Sequence, residues 1–505
     1  MAQAEYKIDL NTSFTMLSEQ QTRTIIGSTA GESPAEEDKP GIGYCHNVMP
    51  TKYGMQSIGY KFIVPPFGGL PGGRVFSDAR VAYGDAKSRL YLAWDDEGGV
   101  HALLEGTTVW IDLPPTTPST GGPGFLVDSV TIGTVDGVSY IFYDGISAFN
   151  YNEVTNELDA VTLTGLNIPE TLGVVASSGY LIAYTTLAIA WSSTLDPTDF
   201  VPSQVTGAGG GNVAGIAGKI IFCTDNSLGI LVFTQANVIA GTYTGNTQFP
   251  FKFREIEDSK GGINLDRVAY EANSGSQFVF SKAGMQVIKI SRAENILPEV
   301  TDFLAGRRFE DYNQTTKVYT ITDLNDSQTM LKKVKFVASR YLVISYGITE
   351  FTHAIVFDTA LNRLGKLKTV HVDVFEYVGA QTEIAKESIA ILKKDGVVQI
   401  VDFSATASNS SGVIVLGKLE LTRTRFISLQ GVQVENIGDA DTFDVSDQVS
   451  LDGKTFTSVD GFLETTAENL RTFSFRAEGR NHSIVLTGKF NAVTVQVTYF
   501  QSSRR

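Results

Sequence analysis

Short apolar runs with a period of two dominate this chain, and they come in sets. Arg89-Leu-Tyr-Leu-Ala-Trp94, Ser139-Tyr-Ile-Phe-Tyr143, Lys219-Ile-Ile-Phe-Cys223 and Ser388-Ile-Ala-Ile-Leu392 are rich in β-branched and aromatic residues, the pattern of strands. Turn formers punctuate them: Asp95-Asp96-Glu97-Gly98-Gly99, Val135-Asp136-Gly137, Asp225-Asn226 and Lys394-Asp395-Gly396. Helical periodicity is scarce, and its best stretch is Pro298 to Arg307. Sets of strands begin near Ala79, Leu126, Thr171, Asn212, Asp266, Leu331 and Glu387, at spacings of about 40 to about 65 residues. Units of four strands at that period must stack to bury their faces. The expectation is an all-β chain built round a β-propeller of six or seven blades. No WD or kelch signature repeats, so spacing and turn chemistry carry this reading; a string of unrelated β-sandwiches competes with it.

Two regions fall outside the rhythm. Residues 1–54 contain the acidic stretch Gly31-Glu-Ser-Pro-Ala-Glu-Glu-Asp-Lys-Pro40 and read as an extended N-terminal arm with little core of its own. A Ser/Ala/Asn-rich break over 404–411 precedes a C-terminal β-sandwich-like module, 411–505, which ends in the alternating run Ala492-Val-Thr-Val-Gln-Val-Thr498. The propeller is then 55–410. With 42% apolar and 19% charged residues among 505, the chain can bury a large core. Its 40 Lys and Arg against 55 Asp and Glu give a net charge of −15, a poor balance for gripping nucleic acid phosphates. The acidity is uneven: 411–505 holds 10 basic and 11 acidic residues, so 1–410 carries −14.

Cys45 and Cys223 are far apart and no CxxC occurs, which argues against a disulfide framework and for synthesis in a reducing cytosol. Met1 to Leu10, with Glu5, Lys7 and Asp9, does not read as a signal peptide. Thr171 to Leu195 is uncharged over 25 residues, yet its internal turn and polar residues favour buried strands over a membrane span.

Chemistry is hard to find. His46, His101, His353, His371 and His482 form no HExxH and show no metal-ligand spacing; packed histidines are the expectation. Gly218-Lys219 and Gly453-Lys454-Thr455 lack the rest of a phosphate loop, and Gly207-Ala-Gly-Gly-Gly211 has no helix after it, so it reads as a turn. No G-x-S-x-G elbow occurs. The carboxylate groups Asp95-Asp96-Glu97, Glu255-Glu257-Asp258 and Asp323-Asp326 could face one another across a glycan groove, but solvated loops are the expectation. Asp323-Leu-Asn-Asp-Ser327 lacks the glycine and distal Glu of an EF-hand loop. Lys332-Lys-Val-Lys335 reads as one basic strand face. Trp94, Trp110 and Trp191 could stack on sugars, but packing between blades is the simpler reading. No catalytic, cofactor-binding or metal-ligating set is assigned, and the chain is expected not to be an enzyme.

Three segments carry a resemblance: Trp191-Ser-Ser-Thr-Leu-Asp-Pro-Thr-Asp-Phe200, His353-Ala-Ile-Val-Phe-Asp-Thr-Ala-Leu-Asn-Arg-Leu-Gly-Lys-Leu-Lys368 and Phe475-Arg-Ala-Glu-Gly-Arg-Asn-His-Ser-Ile-Val-Leu-Thr-Gly-Lys-Phe-Asn491. In matching order, these 43 residues resemble the tail nozzle, or packaged-DNA stabilisation, proteins of short-tailed bacteriophages (podoviruses). The resemblance implies a propeller subunit of the virion tail, made in the host cytoplasm, six copies of which form a ring below the portal and its adaptor. The ring extends and closes the DNA channel, and genomic DNA passes it during ejection without tight binding. The C-terminal module would contact the adaptor, and no membrane span is implied. Some relatives are much longer, with fibre-docking and tip domains for which this chain has little room; tail fibres or spikes stay open as partners. An acidic propeller would repel the duplex, and the break over 304–329 would sit at the channel or the tip. Two rivals remain: a receptor-binding or glycan-depolymerising tail protein, and a cytosolic propeller scaffold that binds peptides.

Overall fold

The computed structural model describes residues 3–10, 24–25, 42–65, 75–96, 99–113, 130–143, 146–271, 275–281, 284–289, 291–305, 308–313, 315–324, 330–377, 388–403, 411–416, 419–420, 427–437, 442–450, 457–467 and 469–501. Six separate four-stranded antiparallel sheets, and a seventh run of four strands inside an eleven-stranded sheet, follow one another along the chain. Their first strands are Phe76–Tyr83, Val130–Val135, Gly173–Ser177, Ile220–Asn226, Val268–Glu271, Leu331–Val337 and Asp373–Tyr377; we number the units one to seven from these. Neighbouring first strands pack side by side except between units four and five, and Asp373–Tyr377 returns to Phe76–Tyr83. Between units four and five the link is polar: Asn226 Nδ2 donates to the Gly275 carbonyl at 2.8 Å and Gln277 Nε2 to that of Asp225 at 2.6 Å. A closed circle of four-stranded sheets is a β-propeller, so the units are its blades.

Local chemistry sets the hairpins. Asp136-Gly137 (φ 51° and 83°) and Ser178-Gly179 (φ 54° and 82°) supply the two left-handed residues of a two-residue hairpin turn, whose twist matches the strands. The second of these turns lies inside the uncharged stretch, which is three strands, Gly173–Ser177, Tyr180–Tyr184 and Ala188–Trp191. No helix among the described residues is long and apolar enough to cross a membrane. The stretch at 298–307 holds the helix Pro298–Ala305.

Blade seven takes Asp373–Tyr377, Ser388–Leu392 and Val398–Asp402 from one end of the propeller and its fourth strand, Gly59–Val64, from the other. The set expected to start near Glu387 therefore starts at Asp373: Val372 alone separates this strand from Arg363–His371, so no turn marks the boundary. The glycine run is also more than a turn, since Gly209–Asn212 is the fourth strand of blade three. The Trp191 ring lies about where a Gly209 side chain would project, and Trp191 Nε1 donates to the Gly207 carbonyl at 2.9 Å.

The C-terminal module is a sandwich of two sheets. One orders Gln3–Asp9, Asn491–Gln501, Ile427–Asn436, Leu470–Gly479 and Phe462–Ala467; the other contains Ile42–His46, Gly412–Leu416, Asn481–Gly488, Phe443–Ser450 and Thr457–Asp460. Val432, Val495 and Phe473 from the first meet Ile414, Val445 and Leu486 from the second in one core, which continues into blades five and six. The N-terminal segment thus departs from the free arm expected over 1–54: its strands at 3–9 and 42–46 are built into both sheets of the sandwich. Gly31 to Pro40 and the break at 404–410 lie outside the described residues. Val48–Pro50 and Met55–Ser57 bridge Arg363–His371 of blade six to Asn491–Gln501, so one continuous sheet ties propeller to sandwich.

The interruption after blade five lies against the flank of the sandwich. Its hairpin, Arg308–Asn313 with Val318–Asp323, packs Tyr312 among Tyr44, Val413, Val415 and Val485.

Candidate functional site

Two clusters of buried charge distinguish the molecule. The first lies where the first strands of blades six, seven and one converge. Side chains two apart on a strand share a face, which puts Lys333 and Lys335 together and Lys332 opposite, over the Phe280 ring. Lys333 is 4% exposed; it reaches Asp78 of blade one and, at 3.1 Å, Asp373 of blade seven, which is fully buried. Lys335 lies 3.4 Å from Asp373, and Arg80 lies 3.0 Å from Asp78. The Ala79 and Val374 amides donate to Asp373 at 3.2 and 2.8 Å. Burial alone would raise Asp78, but Lys333, Arg80 and Lys335 outweigh it and hold it well below the usual carboxylate range. Burial wins at Asp373, which is raised. The run read as a basic strand face therefore feeds an internal ion-pair network, with Lys333, Lys335 and Arg80 set against Asp78 and Asp373.

The second cluster fills the seam between blade six, the hairpin and the sandwich. Lys366, 1% exposed, holds its Nζ 4.3 Å from the Tyr44 ring centre, 5.3 Å from that of Phe303 and 5.4 Å from that of Tyr346. Around it, Tyr44 Oη lies 3.1 Å from His46 Nδ1 and donates to Asp311 at 3.3 Å. Asp311 also holds Lys368 and lies 3.6 Å from His353 Nε2. Burial pushes the Lys366 ammonium down to about 8 and the Cys45 thiol up to about 12. Burial, aided by Lys368 and Lys366, takes His46 down to about 2, and burial takes His353 down to about 4.

A buried cation that prefers to be neutral opposes folding below its unfolded pKa, and three aromatic rings offset that only in part. Lys366→Met should therefore raise stability at pH 7 by about 1–3 kcal/mol, since a shift from 10.5 to about 8 is worth roughly 3 kcal/mol before the ring contacts are subtracted. The gain should shrink as pH rises from 8 to 10.5, where the wild-type lysine discharges in both states. Denaturant titrations at pH 7 and 10 test this; a Met variant weaker than wild type at pH 7 would show that the rings dominate.

The other histidines, tryptophans, cysteines and carboxylates lie elsewhere in the fold. All five histidines are buried. His101 bridges Asp112 (2.7 Å) and Asp95 (3.0 Å), joining the second, third and fourth strands of blade one. His371 accepts from Ser345 Oγ at 2.8 Å, and His482 pairs with Asp447 at 2.6 Å inside the sandwich. Trp94 Nε1 donates to Tyr143 Oη across blades one and two, and Trp110 Nε1 to the Gly396 carbonyl across blades one and seven. Both cysteines are free and buried. Glu255, Glu257 and Asp258 line an open hollow of about 620 Å³ with Arg254, Ser259 and Lys260; Asn237 Nδ2 donates to Glu255 at 2.9 Å. The side chain of Asp323 and residues 325–329 lie outside the described residues. Among the described residues, no group of three His, Cys, Asp or Glu could hold a metal. Asp78, Asp373, Tyr44 and Lys366, which organise the two clusters, carried no sequence signal: each is an ordinary strand residue until its distant partners arrive.

No family model matches the chain, and no curated protein matches it. Among solved structures it is similar to the WD40 β-propeller domain of Doa1, at 11% identity and a TM-score of 0.39 over 69% of this chain and 98% of that one. It is similar to YCF48 from Cyanidioschyzon merolae, at 11% identity and a TM-score of 0.37 over 68% and 98%. A third is the extracellular domain of a putative one-component system from B. thetaiotaomicron, at 11% identity and a TM-score of 0.41; the match spans 94% of this chain and 64% of that one. At these TM-scores the likenesses add no argument, and the propeller stands on its strand order and closed circle.

Proposed function

We propose that the chain is a tail nozzle subunit of a short-tailed phage: a non-enzymatic virion protein, six copies of which ring the DNA channel below the portal and adaptor. One observation carries most weight beside the three resembling segments. Lys333, Asp78 and Asp373 tie blades six, seven and one together where their first strands converge, which favours a duplex passing between copies rather than through one propeller. The nearly neutral sandwich, with 10 basic and 11 acidic residues over 411–505, suits a permanent contact with the adaptor, because interface cores are depleted of charge. The excess negative charge of the propeller region keeps passing DNA from sticking.

The expected result is a protein that caps its portal–adaptor complex as a six-fold ring, seen by mass photometry and electron microscopy, and that does not retain duplex DNA at physiological salt. A stable trimer indifferent to the adaptor would sink the reading. It would favour a glycan-depolymerising tail protein, for which the hollow lined by Glu255, Glu257 and Asp258 is the place to look; release of reducing sugar from host polysaccharide, lost in Glu255→Gln or Glu257→Gln, would establish that alternative.

A further inference from the structure

We propose that the hairpin of Arg308–Asn313 and Val318–Asp323 is a flap, closed over the buried polar groups of the propeller–sandwich seam and released by acid. The proposal goes beyond the nozzle reading and does not depend on it, because the flap and the groups it covers belong to one copy.

The hairpin interrupts the step from blade five to blade six without joining the sheet of either. Among the described residues its two strands pair only with each other. A lone two-stranded hairpin is marginal in water, so side chains must hold it down. Its base is fixed, because Leu304 before it and Leu324 after it are buried in the main core. Beyond the base, Phe309 sets its ring edge-on to His353 at 5.2 Å and to Tyr346 at 6.2 Å between centres. Asp311 accepts from Tyr44 Oη at 3.3 Å, holds Lys368 and lies 3.6 Å from His353 Nε2. Lys368 Nζ also donates to the Tyr312 carbonyl at 2.8 Å. The Tyr312 ring packs against Tyr44 and lies 6.3 Å from His46. In the turn, Lys317 reaches Asp460 at 2.6 Å, and Gln448 Nε2 donates to the Lys317 carbonyl at 2.5 Å. Tyr44, His46, Tyr346, His353 and Lys366 are all buried behind these contacts, whereas the side chains of Asp311 and Lys368 are part-exposed at the rim.

Lifting the hairpin lets water reach His46 and His353. With it down both are neutral: burial, then Lys368 and Lys366, holds His46 at about 2, and burial holds His353 at about 4 although Asp311 pulls the other way. With it up each returns toward 6.5, so acid below 6.5 favours the open form. The other groups facing the pair do not reverse this between pH 7 and 5.5. Burial takes Lys366 down to about 8, so it is charged with the flap closed or open. Against burial, His353 and Lys368 hold Asp311 below its usual range, and it yields only below 3.8. Burial raises Tyr44, Tyr312 and Tyr346, and takes Cys45 up to about 12, so these respond only to alkali. Glu310 and Lys368 add one charge of each sign. Together the two histidines should multiply the open population roughly 70-fold between pH 7 and 5.5.

Amide exchange of the intact chain, read by mass spectrometry with each rate divided by the chemical rate at its pH, tests this. In the wild type, exchange over 308–323 should rise by that factor from pH 7 to 5.5 and run ahead of Ile42–His46, while Gly173–Ser177 of blade three does not change. His46→Gln with His353→Gln should abolish the rise. Asp311→Asn should speed exchange at every pH and keep the rise, because it loosens the flap without removing either histidine. A hairpin whose exchange is flat between pH 7 and 5.5, one that opens only together with blade three, or a rise that survives in the double histidine variant overturns the flap. The wild-type curve alone can do so, even where a variant fails to fold. Whether the chain caps the adaptor is decided separately, so either reading can fail without the other.

Discussion

Lys333→Ala should destabilise the propeller by about 3–5 kcal/mol, the range for removing one partner of a buried ion pair. The lysine sits between two carboxylates that are almost wholly out of water, Asp78 at 4% exposure and Asp373 at 0%. Taking it away leaves Asp78 to Arg80 and Asp373 to Lys335 at 3.4 Å, so compensation is partial. Asp373 is already raised by burial and should become the group that takes up a proton. The loss should therefore be largest near pH 7 and smaller at pH 5, whereas loss of packing alone would not depend on pH. The triple variant Lys333→Met, Asp78→Asn, Asp373→Asn should recover most of the stability, because replacing a whole buried network with neutral groups is often harmless. Urea titrations of the three proteins decide the matter. A change under about 1 kcal/mol in Lys333→Ala, the range of exposed ion pairs, would mean that water reaches the network. Blades six, seven and one would then not be tied together there, and the main structural support for a channel between copies would go.

How much of this was legible beforehand depends on the range of the interactions. Hairpins such as Val135-Asp136-Gly137-Val138 are local: two left-handed residues fix the turn, and the turn fixes the register, so blades two and three could be read directly. Trp94 and Trp110 were legible too, since an indole near a strand end with a donor to satisfy finds its partner on the next blade; Trp191 instead donates within its own blade. What pairs distant segments was not. Gly59–Val64 closes blade seven against Val398–Asp402, and nothing near residue 59 announces that partner. The same holds for the strands at 3–9 and 42–46, which belong to a sandwich whose other strands begin at Gly412. The run Lys332 to Lys335 was misread for a related reason. Alternation puts Lys333 and Lys335 on one face, but it does not say whether that face meets water or the neighbouring blades. Asp78, 255 residues from Lys333, supplies the answer only in three dimensions.

Acid should open this molecule well before its carboxylate pairs fail. His46, His353 and His371 are held near 2, 4 and 4, chiefly by burial, against 6.5 in the unfolded chain. A base whose folded pKa is depressed leaves stability untouched above 6.5 and withdraws it as pH falls toward the folded value, because the unfolded chain takes up the proton first. By pH 4 each histidine should have withdrawn roughly 3 kcal/mol. Two groups act the other way. Asp225 is raised by burial to about 6 from 3.8, so acid relieves roughly 3 kcal/mol there, and Asp373 shifts in the same direction. His482 is raised by Asp447 despite its burial; its contribution is complete below pH 6.5 and is lost only on the alkaline side, so it does not enter. Asp311 is held low by His353 and Lys368 against burial and gives up its share only below 3.8. The balance between pH 6.5 and 4 is a net loss of about 6 kcal/mol. His46 and His353 sit in the seam that joins propeller to sandwich, so their part of the loss should appear there first. Amide exchange would then quicken in Ile42–His46 and Phe351–Asp358 before it quickens in blades one to three. In urea titrations, His371→Gln should remove about half of the net loss between pH 6.5 and 4 and leave the seam's early opening in place. A stability profile flat from pH 6.5 to 4 would mean that the histidines are wet, and the dry seam that fixes the sandwich to blade six would have to be given up with it.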